Sequence, residues 1–208
     1  MSEHRLAASI ANQIVWTHET FITVVQELSE AQLSVRPENS TSPCIAWHFW
    51  HAARLADRVQ AALSDKTGLL DRSGAIENEH WVQEKLALAW GLDSVNLGVF
   101  EIGPEMDYAS STYAIQAGKM ALQDYAQSVF ASLNAIVEAL CDADLFAPMK
   151  TVANFTWERG VPGSMTVVPP KEVMIIDELL FYEGHTSRHL GMVEALRGLL
   201  MERGTATI

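Results

Sequence analysis

The stretch Tyr182–Met192, YEGHTSRHLGM, decides how this chain is read. His185 and His189 stand four apart, and positions four apart share one helix face with Cβ atoms about 5–6 Å from each other. A second stretch, Ala46–Asp57, AWHFWHAARLAD, carries His48 and His51 three apart, again on one helix face. One helix thus offers two imidazoles and a neighbouring helix a third. Three nitrogen ligands with the fourth position left to water describe a catalytic rather than a structural zinc site.

Working outward, the YEGHTSRHLGM helix is expected to run from about Lys171 to Met201. Pro169 and Pro170 stand where prolines are tolerated at a helix start, and Gly204 follows its end. At 100° per residue from His185, His189 falls at about 40°, Met192 and Met174 at about −20°, Leu196 at about 20° and Leu199 at about −40°. Both histidines then lie in the middle of the apolar stripe. Glu178 shares that stripe, about 10 Å along the axis from His185. Its place near the helix start favours a solvent-facing carboxylate that complements the dipole, the alternative being contact with a ligand histidine or a substrate. On the AWHFWHAARLAD helix, His48 falls inside the apolar arc and His51 at its edge, a slight preference for His48 as the buried one. Asp57 falls on the polar arc and reads as a surface charge, with the orientation of a ligand histidine as the alternative.

Two more helices complete the layout. Ile10, Ile14, Thr17, Phe21, Val25 and Leu28 recur at helical spacing from about Leu6 to Leu28. Breaks at Pro37–Asn39 and Ser42–Pro43 precede the helix of about Pro43–Leu63, and a third helix spans about Tyr113–Leu140. Four helices of this length predict an all-α four-helix bundle, a single domain over residues 1–208. The helix 2–3 and helix 3–4 connections are long, about 64–112 and 141–170, and the first holds a short helix near Glu77–Trp90. Connections of such length are functional or carry structure of their own, and these are expected to cover one end of the bundle.

Composition excludes several classes. Of 208 residues 49% are hydrophobic, enough for a substantial core, and the formal charge is −12. Such a chain repels nucleic-acid phosphates and acidic membrane surfaces. No apolar run reaches the ~18 residues of a membrane span, and MSEHRLAASIANQ lacks a signal-peptide core, so a cytoplasmic location is expected. Cys44 and Cys141 are too few for a disulfide framework and form no CxxC pair.

The two histidine segments resemble the DinB-like superfamily of metal-dependent enzymes, which includes the mycothiol-dependent maleylpyruvate isomerases and related thiol transferases. HTSRHLGMVEALRG is similar to the family's terminal His-x3-His helix, with Gly191 and Arg197 beyond it. HAARLAD is similar to the second-helix segment in which an acidic residue follows a histidine by six. The resemblance implies a four-helix bundle and a divalent metal held by His51, His185 and His189, so it points to His51 rather than His48. This chain departs from the family in having Arg188 before His189 and Leu-Gly-Met after it, and in keeping His185 where the isomerases have Glu. The resemblance supports a metal site more than any one reaction.

Such a site, with Zn or Ni as the expected ion, lowers the pKa of bound water to about 7 or binds a thiol as thiolate. A thiol transferase or hydrolase acting on a small molecule is the leading expectation, with a low-molecular-weight thiol as a candidate partner. A non-catalytic metal- or ligand-binding bundle is the alternative. Ligation needs neutral imidazoles, so affinity is expected to fall below about pH 6. His18 is read as a core or boundary residue beside the pocket, His80, Trp81 and Trp157 as loop anchors or caps of the site, Cys44 as a buried thiol, and Tyr182 and Glu183 as candidate proton or substrate contacts. Gly184, Gly191 and Gly198, seven apart with Ala195 on the same side, suggest close approach of another helix, and a homodimer is expected.

Overall fold

The structure is a computed structural model that describes residues 5–36, 43–65, 78–103, 116–152, 155–156 and 166–200. Four long helices dominate: α1 (Arg5–Glu27), α3 (Ile45–Asp65), α6 (Lys119–Ala139) and α7 (Ile175–Leu199). Helices α1 and α3 each pack against α6 and α7, which closes a four-helix bundle. Shorter helices are α2 (Glu30–Ser34), α4 (His80–Gln83) and α5 (Leu86–Ala89). The sequence reading omitted α2, although it opens with a capping box: Ser29 Oγ accepts from the Gln32 N–H and Gln32 Oε1 from the Ser29 N–H. The expected single helix near Glu77–Trp90 is two, broken at Lys85 by a left-handed backbone, φ 51°; Glu77 lies outside the described residues.

The core follows from helical periodicity. Helix α1 buries Ile10, Ile14, Thr17, Phe21, Val24 and Val25, and α6 buries Leu122, Tyr125, Val129, Phe130, Leu133 and Val137. Burying each such apolar side chain contributes about 1.5–3 kcal/mol against its exposed state.

Helix α7 differs from the expectation in two ways. It begins at Ile175, not Lys171, because Glu172–Met174 (β4) pairs antiparallel with Pro148–Lys150 (β1), Met149 opposite Val173. Pro169 and Pro170 therefore precede a strand. A second pair joins Phe155–Thr156 (β2) to Thr166–Val167 (β3). The buried stripe of α7 is also rotated from the one expected: it runs through Glu178, Tyr182, Thr186, His189, Val193 and Leu196, while Met192 and Leu199 are 44% and 67% exposed. His189 lies inside this stripe and His185, half-buried, at its edge. The apolar residues of α7 encircle the helix, so its sequence marks no single inner face.

Helix α3 is buried all round. Residues 44–63 are buried without a break, because the segment 78–103 lies across the side that a four-helix scheme leaves to solvent. Asp57 is accordingly no surface charge but 0% exposed. Its carboxylate accepts from the backbone N–H groups of His80 and Trp81, each at 2.9 Å, from Gln60 Nε2, from Arg54 Nη1 and from the Tyr125 hydroxyl. It thereby satisfies the first donors of α4, which its own residue Glu79 leaves without a side-chain cap.

Candidate metal centre

Helix α3 and helix α7 bring three imidazoles to one point. His51 Nε2 lies 2.9 Å from His185 Nε2, which lies 3.1 Å from His189 Nε2, and the three ligand atoms fall within 4.8 Å of one another. A tetrahedral ion with Zn–N bonds of about 2.0–2.1 Å sets its nitrogens roughly 3.3 Å apart, and the His51–His185 and His185–His189 separations lie within a few tenths of an ångström of that spacing. His48, also buried, stands outside this triangle, its Nδ1 2.8 Å from His189 Nδ1.

The chemistry of the donors fits a cation. His51 Nδ1 donates to the Ile102 carbonyl, and a carbonyl only accepts, so the lone pair of His51 is on Nε2, facing its neighbours. Burial, assisted by the His185 imidazole, drives the His51 pKa down to about 3. Burial and then the Arg188 charge bring His185 to about 4. His189 is pushed down by burial and then by His51, His185, His48 and Arg188. Each shift favours the neutral imidazole, the form that binds a metal.

The Ile102 carbonyl is aimed by a strained turn. Phe100 and Glu101 have φ of 56° and 53°, an arrangement that costs about 1–3 kcal/mol per residue and needs outside support. Arg54 supplies it, Nε bonding the Glu101 carbonyl at 3.0 Å, and Trp81 Nε1 bonds Glu101 Oε2 at 2.5 Å. Gly103 follows at φ 102°, where a Cβ would meet the Trp47 ring at 2.8 Å. Trp47 in turn stacks on His51, centroids 4.7 Å apart and planes 10° apart. Sequence reasoning missed Ile102, Gly103 and Trp47. A carbonyl has no residue signature, and Trp47, one before His48, looks like any core aromatic.

The remaining candidates fall elsewhere. His18 is a core residue, stacked on Phe130 and bonded to Asn134 and to the Tyr182 hydroxyl. Tyr182 is thus spent on His18 inside the bundle, and Glu183 accepts from Thr17 and Ser187, so neither is bonded to His51, His185 or His189. Trp81 is buried between Trp50, Trp90 and Tyr125, under the Arg54 guanidinium. His80 bonds Ser128 at the surface. Cys44 is fully buried, and burial raises its pKa, which makes it inert. Trp157 lies outside the described residues. Glu178 is 3% exposed rather than solvent-facing; it accepts from the Val152 N–H at 3.3 Å, and burial raises it to about 7. A cavity of about 610 Å³ opens beside the strained turn, lined by Arg54, Arg58, Glu79, Trp81 and Phe100 among others and by none of the three histidines. Its buried arginines are already paired with Glu79.

An all-α bundle that converges three neutral imidazoles from two helices defines a class of helical proteins able to hold a divalent cation. The chain belongs to the DinB superfamily, whose model matches residues 13–193. It is also similar in fold to a conserved protein from Enterococcus faecalis known by crystal structure, at 15% identity, with a TM-score of 0.62 over 96% of this chain and 99% of that one. No curated protein is significantly similar to the chain.

Proposed function

We propose that the protein is a divalent-metal-dependent enzyme, a thiol transferase or hydrolase acting on a small molecule, with His51, His185 and His189 as the ligands and Zn or Ni as the ion. The convergence of three Nε2 atoms carries this reading. When bound, the ion supplies Lewis-acid activation of a water or a thiol. His51 is fixed by the Ile102 carbonyl and walled by Trp47. His185 is the half-buried member and opens the site toward solvent. Phe181, stacked near it at 5.8 Å, and the exposed Arg188 flank that approach.

Elemental analysis of untagged protein tests the reading. About one equivalent of Zn or Ni is expected, and each of His51→Ala, His185→Ala and His189→Ala should lose it. Structural zinc sites hold their ion with about 10–16 kcal/mol, so one ligand in three or four is worth roughly two to three orders of magnitude in affinity. Protein that takes up neither ion when it is offered would end the metalloenzyme reading. With a loaded protein in hand, thiol-transfer and ester- or amide-hydrolysis screens separate the two chemistries.

We propose further that the protein is cytoplasmic and homodimeric. Among the described residues no helix is long and apolar enough to cross a membrane. Gly184, Gly191 and Gly198 face open space on α7, where a Cβ would meet nothing within 4 Å, beside the exposed apolar Phe181, Met192 and Leu199. Exposed apolar surface of this kind marks association sites. Sedimentation should give twice the 23.0 kDa chain mass; a monomer at tens of micromolar would refute the dimer.

A further inference from the structure

We infer that His48 sets which nitrogen of His189 carries the proton, and so acts as a positioning residue that prepares His189 to bind the cation. The inference rests on the three-histidine reading above.

The two Nδ1 atoms lie 2.8 Å apart, and both rings are buried. At that distance one nitrogen donates and the other accepts. A neutral imidazole has one N–H, so only two arrangements exist. If His48 donates, the proton of His189 sits on Nε2, the atom that faces His51 and His185, and no lone pair is offered to a cation. If His189 donates, its Nε2 is free, and the proton of His48 sits on its own Nε2. Only the second arrangement allows three nitrogen ligands. His48 then does for His189 what the Ile102 carbonyl does for His51: it receives the Nδ1 proton and fixes the ring.

The two supports are not equivalent. A carbonyl only accepts, so His51 is permanently in the binding tautomer, whereas His48 can also donate. Its Nε2 is buried with no hydrogen-bond partner, so nothing on its far side holds the pair in the binding arrangement. The pair must choose that arrangement as the cation arrives. His48 cannot itself complete the triangle from where it stands, because the nitrogen it turns toward His189 meets Nδ1 and not the converging Nε2 atoms.

Zn affinity measured by competition with a chromophoric chelator tests this, with His48→Phe and His48→Asn beside the unaltered protein. Phe keeps the ring volume but offers no acceptor; Asn places a carbonyl oxygen near the Nδ1 position. Removing such an outer partner typically costs 10–100-fold in metal affinity. That loss is expected for His48→Phe, while His48→Asn should bind within about threefold of the unaltered protein or tighter, because its oxygen accepts as the Ile102 carbonyl does. Two readouts exclude a merely structural effect. The visible spectrum of the Co(II) form should keep its shape in both variants. Imidazole 15N spectra of the Zn form should show His48 protonated on Nε2 and not on Nδ1.

Unchanged affinity in His48→Phe would overturn the inference, as would equal loss in Phe and Asn. A Co(II) spectrum in His48→Phe that reports a lost nitrogen would also overturn it, making His48 a ligand. If the unaltered protein binds neither Zn nor Ni, the three-histidine reading itself fails and this one falls with it. Failure confined to the variants falls on His48 alone.

Discussion

Acidified without metal, the protein is expected to lose its helices in one steep transition centred near pH 5. His18, His48, His51, His185 and His189 are all held below the ordinary imidazole value, His18 and His48 at about 4, by burial first. The unfolded chain has no such burial and takes up these protons around pH 6.5. Between about pH 6.5 and 4 the unfolded state therefore binds more protons, and stability falls as the pH falls. Each histidine contributes up to about 1.4 kcal/mol per pH unit to that slope. Even at half strength, five of them remove several kcal/mol per unit from a total that is typically about 5–15 kcal/mol. Glu178 works the other way. Its folded value of about 7 lies above the unfolded one, so its contribution is fully present at low pH and is lost as the pH rises through 7. One such group does not offset five. Circular dichroism at 222 nm across this range checks the expectation, and added Zn should move the midpoint to lower pH. Direct proton competition for the folded site sets in only near pH 4, below the pH 6 expected of ordinary imidazoles. Metal release and helix loss should therefore coincide. Release near pH 6 with the helices intact would contradict this account.

The second large effect is expected at Asp57. Asp57→Ala removes the acceptor of five donors inside the bundle and leaves Arg54 with Glu79 as its one remaining carboxylate partner among the described residues. Breaking a buried charge pair by removing one partner costs about 3–5 kcal/mol. At roughly 2–4 °C per kcal/mol for a chain of this size, the melting temperature should drop by about 6–20 °C. The damage should spread to the metal centre, because Arg54 also holds the Glu101 carbonyl in the turn that aims Ile102 at His51. Reduced Zn affinity in a protein that still folds at low temperature would demonstrate that link. A drop of under 2 °C would mean that the network is dispensable.

The histidines were legible in the sequence because their spacing is itself geometry. His185 and His189 must share a face once the segment is helical, and the resemblance to the DinB superfamily singled out His51, which the structure sets with them. The helix wheel failed where it assumed one wet face. On α3 the segment 78–103 covers the polar arc, so Arg54, Asp57, Arg58 and Gln60 are internal, and that coverage depends on residues dozens of positions away. On α7 apolar residues encircle the helix, and only the neighbours α1 and α3 decide which become core. Glu178 was assigned to solvent on dipole grounds alone, when what holds it inside is the Val152 N–H, supplied from another part of the chain. The β1–β4 pair escaped notice because strands of three residues carry too little pattern to separate from a helix start.

Trp47 gives the site an optical signature of its own. An indole stacked 4.7 Å from the His51 ring and 5.8 Å from His189 is within reach of any ion the two imidazoles hold. Ni or Co there would quench its emission through the unfilled d shell, whereas Zn, with a filled shell, would leave the light on and only shift its colour. A fluorimeter could thus follow loading without a label and tell one ion from another, with Trp47→Phe, which keeps the other five tryptophans, as the control for how much of the response is its own.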